Sequence, residues 1–120
     1  MKKVILVLCL LVSALPFITA CSIGDSDDRT IIHFLQAFEN GGFDTSNRQV
    51  PFFQMIGAND GMQFVIDGYF HSVYAFENIN ALEQAFADNP FMETQGWITN
   101  GRFAIHSSIG EINEFFRNIE

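Results

Sequence analysis

Two apolar periodicities alternate along the chain behind one uninterrupted apolar run. The run, Val4 to Leu15, follows Lys2 and Lys3 and is broken by Pro16. It is too short for a membrane-crossing helix, which needs about 20 apolar residues. An acidic, small-residue stretch follows, Ser22-Ile23-Gly24-Asp25-Ser26-Asp27-Asp28, with the composition of a leash. Next, Ile31, Phe34, Leu35 and Phe38 recur at helical spacing. Asp27 or Asp28 is the expected cap of that helix and Asn40-Gly41-Gly42 its stop. His33 lies off the apolar stripe and reads as a surface residue.

From Pro51 the period falls to two. The pattern predicts a strand over Phe52 to Ala58, a turn at Asn59-Asp60-Gly61, and strands over Met62 to Ile66 and Tyr69 to Phe76 joined at Asp67-Gly68. Asp-Gly between apolar runs is a strong hairpin signal, because both central residues must take positive φ. Asn78 then caps a helix with Ile79, Leu82, Ala85 and Phe86 inward, ended by Asn89-Pro90. A second unit follows the same plan: strand Thr94 to Thr99, turn Asn100-Gly101, strand Arg102 to His106, then a Ser108–Glu111 capping box and a helix with Ile112, Phe115, Phe116 and Ile119 inward. A 33-residue shift lays Asp67-Gly68 on Asn100-Gly101, Phe70 on Phe103 and Ile79-Asn80 on Ile112-Asn113. That correspondence fits either an internal duplication or a chance likeness of two ββα units. The expected fold is a two-layer α+β sandwich: one antiparallel sheet of about five strands, helices mainly on one face, in the order α-β-ββα-ββα.

Two-residue turns fix which side chains share a face. Around Asp67-Gly68, Ile66 faces Tyr69 and Phe64 faces His71, with Val65 and Phe70 on the reverse side. Around Asn100-Gly101, Thr99 faces Arg102 and Trp97 faces Ala104, with Ile98 and Phe103 on the reverse. Val65, Phe70, Ile98, Phe103 and Ile105 are the expected core. The opposite face then gathers Phe64, Ile66, Tyr69, His71, Trp97, Arg102 and His106. Phe64, Tyr69, His71, Trp97, Arg102 and His106 are the candidate ligand-binding residues, because an aromatic surface holding His and Arg suits a protein, peptide or small apolar ligand. The alternative is that the first helix or the Asn40–Gln49 loop covers this face and makes it a second core.

The residues around Cys21 carry a separate message. Ile18-Thr19-Ala20-Cys21 resembles the lipobox of bacterial lipoproteins, with Ile18 and Thr19 as accepted variants of the usual Leu and Ala or Ser. The resemblance implies removal of residues 1–20 as a signal peptide, diacylglycerol on the Cys21 sulfur, and attachment to the extracytoplasmic face of the cell membrane. Residues 21–28 would be the anchor and acidic tether, and 29–120 a single domain. The stretch Ile56-Gly57-Ala58-Asn59-Asp60-Gly61, with Asp67-Gly68 and Asn100-Gly101-Arg102-Phe103, resembles small uncharacterised lipoproteins of Gram-positive bacteria. That resemblance implies no activity, and the lysines usual in such proteins are missing after Cys21.

Charge narrows the partners. Without Lys2 and Lys3, four arginines stand against fourteen carboxylates, a net of −10. Nucleic acid is therefore excluded as a partner, since phosphates could not be neutralised. Cys9 leaves with the signal and Cys21 is acylated, so no disulfide is expected. Thirteen of the fourteen Phe follow Cys21, and burying each contributes roughly 1.5–3 kcal/mol. No nucleophile elbow, glycine-rich phosphate loop or metal-ligand spacing is present, so neither cofactor nor metal is expected. The reading is a lipid-anchored, non-enzymatic binding module. The alternatives are a cell-envelope enzyme using His71 or His106 as acid/base, or a structural or stress-related envelope component.

Overall fold

The computed structural model describes residues 27–120. The expected signal peptide and lipobox, Cys21 and most of the expected tether lie outside the described residues. Helix α1 (Ile31–Asn40) leads to a short strand β1 (Arg48–Gln49), a 3-10 turn (Phe53–Ile56), β2 (Asp60–Ile66) and β3 (Tyr69–Ala75). Helices α2 (Ile79–Asp88) and α3 (Phe91–Thr94), strands β4 (Ile98–Asn100) and β5 (Phe103–His106), and helix α4 (Gly110–Arg117) complete the chain. The five strands form one antiparallel sheet in the order β1-β2-β3-β5-β4. The fold is α+β, as expected.

The first hairpin forms as read. Ile66 pairs with Tyr69, Val65 with Phe70 and Phe64 with His71, and both turn residues, Asp67 and Gly68, have positive φ (54° and 84°). The second hairpin is shifted. Asn100 pairs with Phe103, Thr99 with Ala104 and Ile98 with Ile105, so the turn is Gly101-Arg102, with positive φ at Gly101 alone. Asn100 stays in the strand, where its side-chain amide donates to the carbonyls of Phe116 (2.9 Å) and Ile119 (2.8 Å) past the end of α4. These bonds add to those the two carbonyls already accept, Phe116 from the Ile119 N–H at 3.2 Å and Ile119 from the Arg29 guanidinium at 3.4 Å.

Two further elements depart from the expected ones. The strand over 52–58 is instead the 3-10 turn, closed by Gly57 in the left-handed conformation. Phe52 and Met55 face solvent there, so the apolar alternation did not mark a buried strand face. Residues 91–94 form a helical turn, and β4 begins only at Ile98. The helix ends were partly legible. Asn78 caps α2 by accepting from the Ala81 N–H at 2.8 Å, and Gly41 ends α1. Thr30, not Asp27 or Asp28, caps α1, and Ser107, not Ser108, accepts the Ile109 N–H ahead of α4.

Register between the hairpins assigns the faces. Val73 pairs with Ile105 and Ala75 with Phe103, so Phe64, His71, Val73, Ala75, Ile98, Phe103 and Ile105 share one side of the sheet. Helices α1 and α4 cover it through Ile31, Phe34, Leu35 and Phe38 and through Ile112 and Phe116. Rings interlock across this layer: Phe34 lies 4.4 Å from Phe103 and 5.1 Å from Phe116, and Phe38 5.4 Å from Phe64. On the reverse side α2, α3 and the 3-10 turn bury a smaller cluster, Ile56, Ala58, Phe76, Leu82, Ala85, Met92, Trp97 and Ala104. Val65 and Phe70, expected in the core, lie on this reverse side beyond the cluster; Phe70 is 58% exposed. The two ββα units are therefore not equivalent. Helices α2 and α4 lie on opposite faces, and Phe70 and Phe103 have opposite fates.

Arg102 ties one end of the molecule together. Its guanidinium donates to the carbonyls of Asp27 (3.1 Å), Phe76 (2.6 Å) and Arg29 (2.7 Å). Arg29, paired with Asp27 at 2.7 Å, lies over the Phe34 ring. Arg102→Ala should lower unfolding stability by about 2–3 kcal/mol, the scale of hydrogen bonds from a charged donor. Arg102→Lys should recover little of it, because an ammonium lacks the planar fork that serves three carbonyls. Urea denaturation midpoints of the three proteins check this, and an unchanged midpoint for Arg102→Ala would rule out the clamp.

Candidate functional site

The six candidate residues do not form one surface. Phe64 is fully buried beneath α1, because the first helix covers the face, as the alternative reading held. Trp97 belongs to the reverse cluster and is 8% exposed. It is stacked between Tyr74 (5.2 Å) and His106 (4.9 Å), with Phe91 edge-on. His106 is exposed on that reverse face. Arg102 is committed to the turn and its carbonyls. Only Tyr69 and His71 meet at a cavity.

That cavity is a half-open cleft of about 420 Å³ at the Asp67-Gly68 end of the helical face. Three segments build it. The Gly42-Phe43-Asp44 loop follows α1, which the glycines stop. The tip of the first hairpin brings Ile66, Asp67, Tyr69 and His71. The start of α4 brings Ile109, Glu111 and Ile112. Phe43 is held in place by edge-on contacts with Phe38 and Phe115. The walls are apolar and the charged groups are all acids: Asp44, Asp67 and Glu111. Asp44 accepts from the Ser46 hydroxyl (2.6 Å) and backbone N–H (2.9 Å). The hydroxyl first, then the N–H, hold its carboxyl below the ordinary value, so it is ionised at the cleft.

His71 is the unusual group. It is 1% exposed, borders the cleft, and its Nδ1 lies 2.7 Å from the Ser107 hydroxyl. Ser107 Oγ also accepts the Ile109 N–H at 3.1 Å. Both of its bonds are satisfied when the hydroxyl donates to Nδ1, which leaves the proton on Nε2. Nε2 is buried and has no hydrogen-bond partner. Burial pushes the His71 pKa below its ordinary value, and hydrogen bonding of the protonated ring to the Ile66 backbone offsets part of the effect. The only other buried polar side-chain atom without a partner among the described residues is Asn113 Oδ1, whose own amide donates to the Ser107 carbonyl.

The Ser107–His71 pair is not arranged for nucleophilic attack. Ser107 is buried, its oxygen is already engaged, and no carboxylate is hydrogen-bonded to the imidazole. Among the described residues no three His, Cys, Asp or Glu converge as a metal site.

Sequence reasoning found Tyr69 and His71 but missed Asp44, Glu111, Phe43 and Ser107. These sit on loops and a helix start that only tertiary packing brings together. Comparison with protein-family models, with curated proteins and with solved structures finds no match for this chain.

Two outcomes follow for His71. The unfolded chain takes up a proton near the ordinary histidine value of 6.5 and the folded chain only at lower pH. Stability is thus complete above that value and declines as pH falls through the folded one. His106, exposed at one side but partly desolvated where it stacks on Trp97, also has its pKa lowered and acts in the same direction. Denaturant midpoints measured downward from neutral pH should fall for the native chain, and less steeply for His71→Leu. Ser107→Ala should cost about 1–3 kcal/mol at neutral pH, since it strands both His71 Nδ1 and the Ile109 N–H.

Proposed function

We propose that the chain is a lipid-anchored, extracytoplasmic protein of the cell envelope whose domain is a non-enzymatic binding module, its ligand entering the cleft beside His71. The observation that carries the binding reading is the cleft itself: at about 420 Å³ it falls within the 300–1,000 Å³ range of small-ligand sites, and its apolar walls bring His71 and three carboxylates together. The enzymatic alternative has less support, because the hydroxyl beside His71 is a buried prop and His106 is stacked on Trp97.

Anchoring rests on the resemblance of Ile18-Thr19-Ala20-Cys21 to a lipobox, and the geometry of the domain suits it. Asp27, six residues after Cys21, is held at the Gly101-Arg102 end of the sheet. Strand β3 runs from that end to Tyr69, about 20 Å away at ~3.4 Å per residue. A domain tethered through Cys21 thus has its cleft at the end of the sheet opposite its attachment.

Two experiments test the two halves. Mass spectrometry of the native amino terminus should find a diacylglyceryl group on Cys21, and Cys21→Ser should leave the precursor unprocessed. A bare cysteine or an intact Met1 would remove the anchoring. For the cleft, a chemically mixed fragment library should contain compounds that shift the His71 ring nitrogens in NMR spectra of histidine-labelled protein. If none does, the binding reading fails.

A further inference from the structure

A second recess lies at the other end of the domain from the cleft, on the reverse face of the sheet. Ile79, Leu82 and Phe86 of α2 line it together with Thr99 and Gly101, and Glu83 is the one charge among these lining residues; it is an open groove of about 300 Å³. The apolar stripe of α2 explains why it is there. Leu82 and Ala85 are buried in the reverse cluster and Phe86 packs against it, but Ile79, on the same stripe, is 36% exposed. The stripe runs past what the sheet covers, and its uncovered end borders the groove.

The chain that precedes the described residues arrives beside this groove. Asp27, the first of them, is held by Arg102, which donates to its carbonyl at 3.1 Å. Its carboxylate lies so close to Gly101 that a Cβ there would come within 2.6 Å of Oδ2. Gly101 is itself a lining residue, so the entry point adjoins the groove. Between Cys21 and Asp27 stands Ser22-Ile23-Gly24-Asp25-Ser26, with Ile23 its one large apolar side chain. A solvated leash has no use for it. Ile23 is four residues from Asp27, a reach of up to about 14 Å, and its neighbours Ser22 and Gly24 bring no carboxylate against Glu83. We propose that Ile23 docks in the α2 groove, against Ile79, Leu82 and Phe86, and latches the entry segment to the domain.

The covalent link presents Ile23 to the groove at high effective concentration, while one side chain is a weak anchor. The latch therefore opens and closes rapidly, and its signals are population averages. The docking itself needs no lipid; its consequence for the leash rests on the reading of Cys21 as the anchor. Ile23 is two residues from Cys21, so the closed latch leaves roughly 7 Å of free chain between lipid and domain, where six residues would span about 20 Å. Closing and opening it would set how near the domain sits to the membrane.

NMR of the full chain in phosphatidylcholine nanodiscs, with isoleucine δ1-methyl groups and phenylalanine rings labelled, tests the latch. The Ile23 methyl, identified by its loss in Ile23→Val, should show cross-peaks to the Phe86 ring and the Ile79 methyl. They should persist in about 0.5 M sodium chloride, because an apolar contact is not screened. Ile23→Ser should shift the Ile79 methyl signal. Ile79→Ser should abolish the cross-peak from Ile23 to Phe86 and leave the Trp97 indole signal in place, since Ile79 lies outside the reverse cluster. Three outcomes overturn the proposal: cross-peaks from Phe86 to lipid acyl chains with none to Ile23, cross-peaks found only between differently labelled copies, or an Ile23 methyl at its random-coil position that Ile79→Ser does not move. Mass spectrometry of Cys21 decides the anchoring separately, so a chain without the lipid can still carry the latch and a lipidated one can lack it.

Discussion

Four residue pairs between β3 and β5, from Ser72–His106 to Ala75–Phe103, decide which side of the entire sheet is interior. Each hairpin fixes only its own pairing. Docking one on the other with Val73 opposite Ile105 sets a common parity, and a shift of one residue would turn every side chain of one hairpin over. With the observed parity, Phe64, Val73, Ala75, Phe103 and Ile105 form a continuous apolar face that α1 and α4 seal with Phe34, Phe38 and Phe116. The same parity carries His71 beneath α4 and sets Phe70 in solvent. The site is thus a by-product of core registration: an imidazole takes a core position at the sheet's end, beside the cleft that the Gly42–Asp44 loop and the start of α4 leave open.

That dependence explains what was legible in the sequence. Helical stripes such as Ile31-Phe34-Leu35-Phe38, the Asp67-Gly68 turn and the Asn78 cap are local, and local rules found them. The assignment of Val65 and Phe70 to the core weighed only the residues flanking a turn. Along the whole of β2 the contrast of Met62, Phe64 and Ile66 with Gly61, Gln63 and Val65 points the other way, and the longer window would have given the observed face. The turn at Gly101-Arg102 was not available locally. Asn-Gly prefers its own two-residue turn, and Asn100 is withheld from it by carbonyls at the far end of α4, contacts 16 and 19 residues away in sequence. The shift moves each partner by two positions, so Ile98, Phe103 and Ile105 still share a face and the error did not spread to the core. Asp44, Glu111 and Ser107 left no signal of their own, because their meeting depends on α1 and α4 running antiparallel across the sheet.

The scarcity of cations shapes the rest. A domain with no lysine has four positive charges to place, and three hold chain ends or loops. Arg29 ties the entry segment to the Ile119 carbonyl, Arg102 ties it to the turn and to Phe76, and Arg48 bridges Glu39 and the Thr45 carbonyl. Arginine suits this work because a planar fork satisfies several carbonyls at once. With each of the four engaged by a carboxylate or by carbonyls, the excess of carboxylates leaves a net negative field that opposes polyanions.

These constraints also give the domain a direction. At one end Asp27, Arg29, Arg102, Asn100 and the last carbonyls of α4 form a dense hydrogen-bonded knot. At the other, the Gly42–Asp44 loop, the Asp67-Gly68 tip and the first turn of α4 leave an opening. The Arg102 bonds of the knot all go to backbone carbonyls, and the cleft lies a full strand length away along β3. The two ends therefore share no residues. The polarity follows from antiparallel pairing: the first hairpin turns at one end of β3, and the second, entering beside Ala75, must turn at the other.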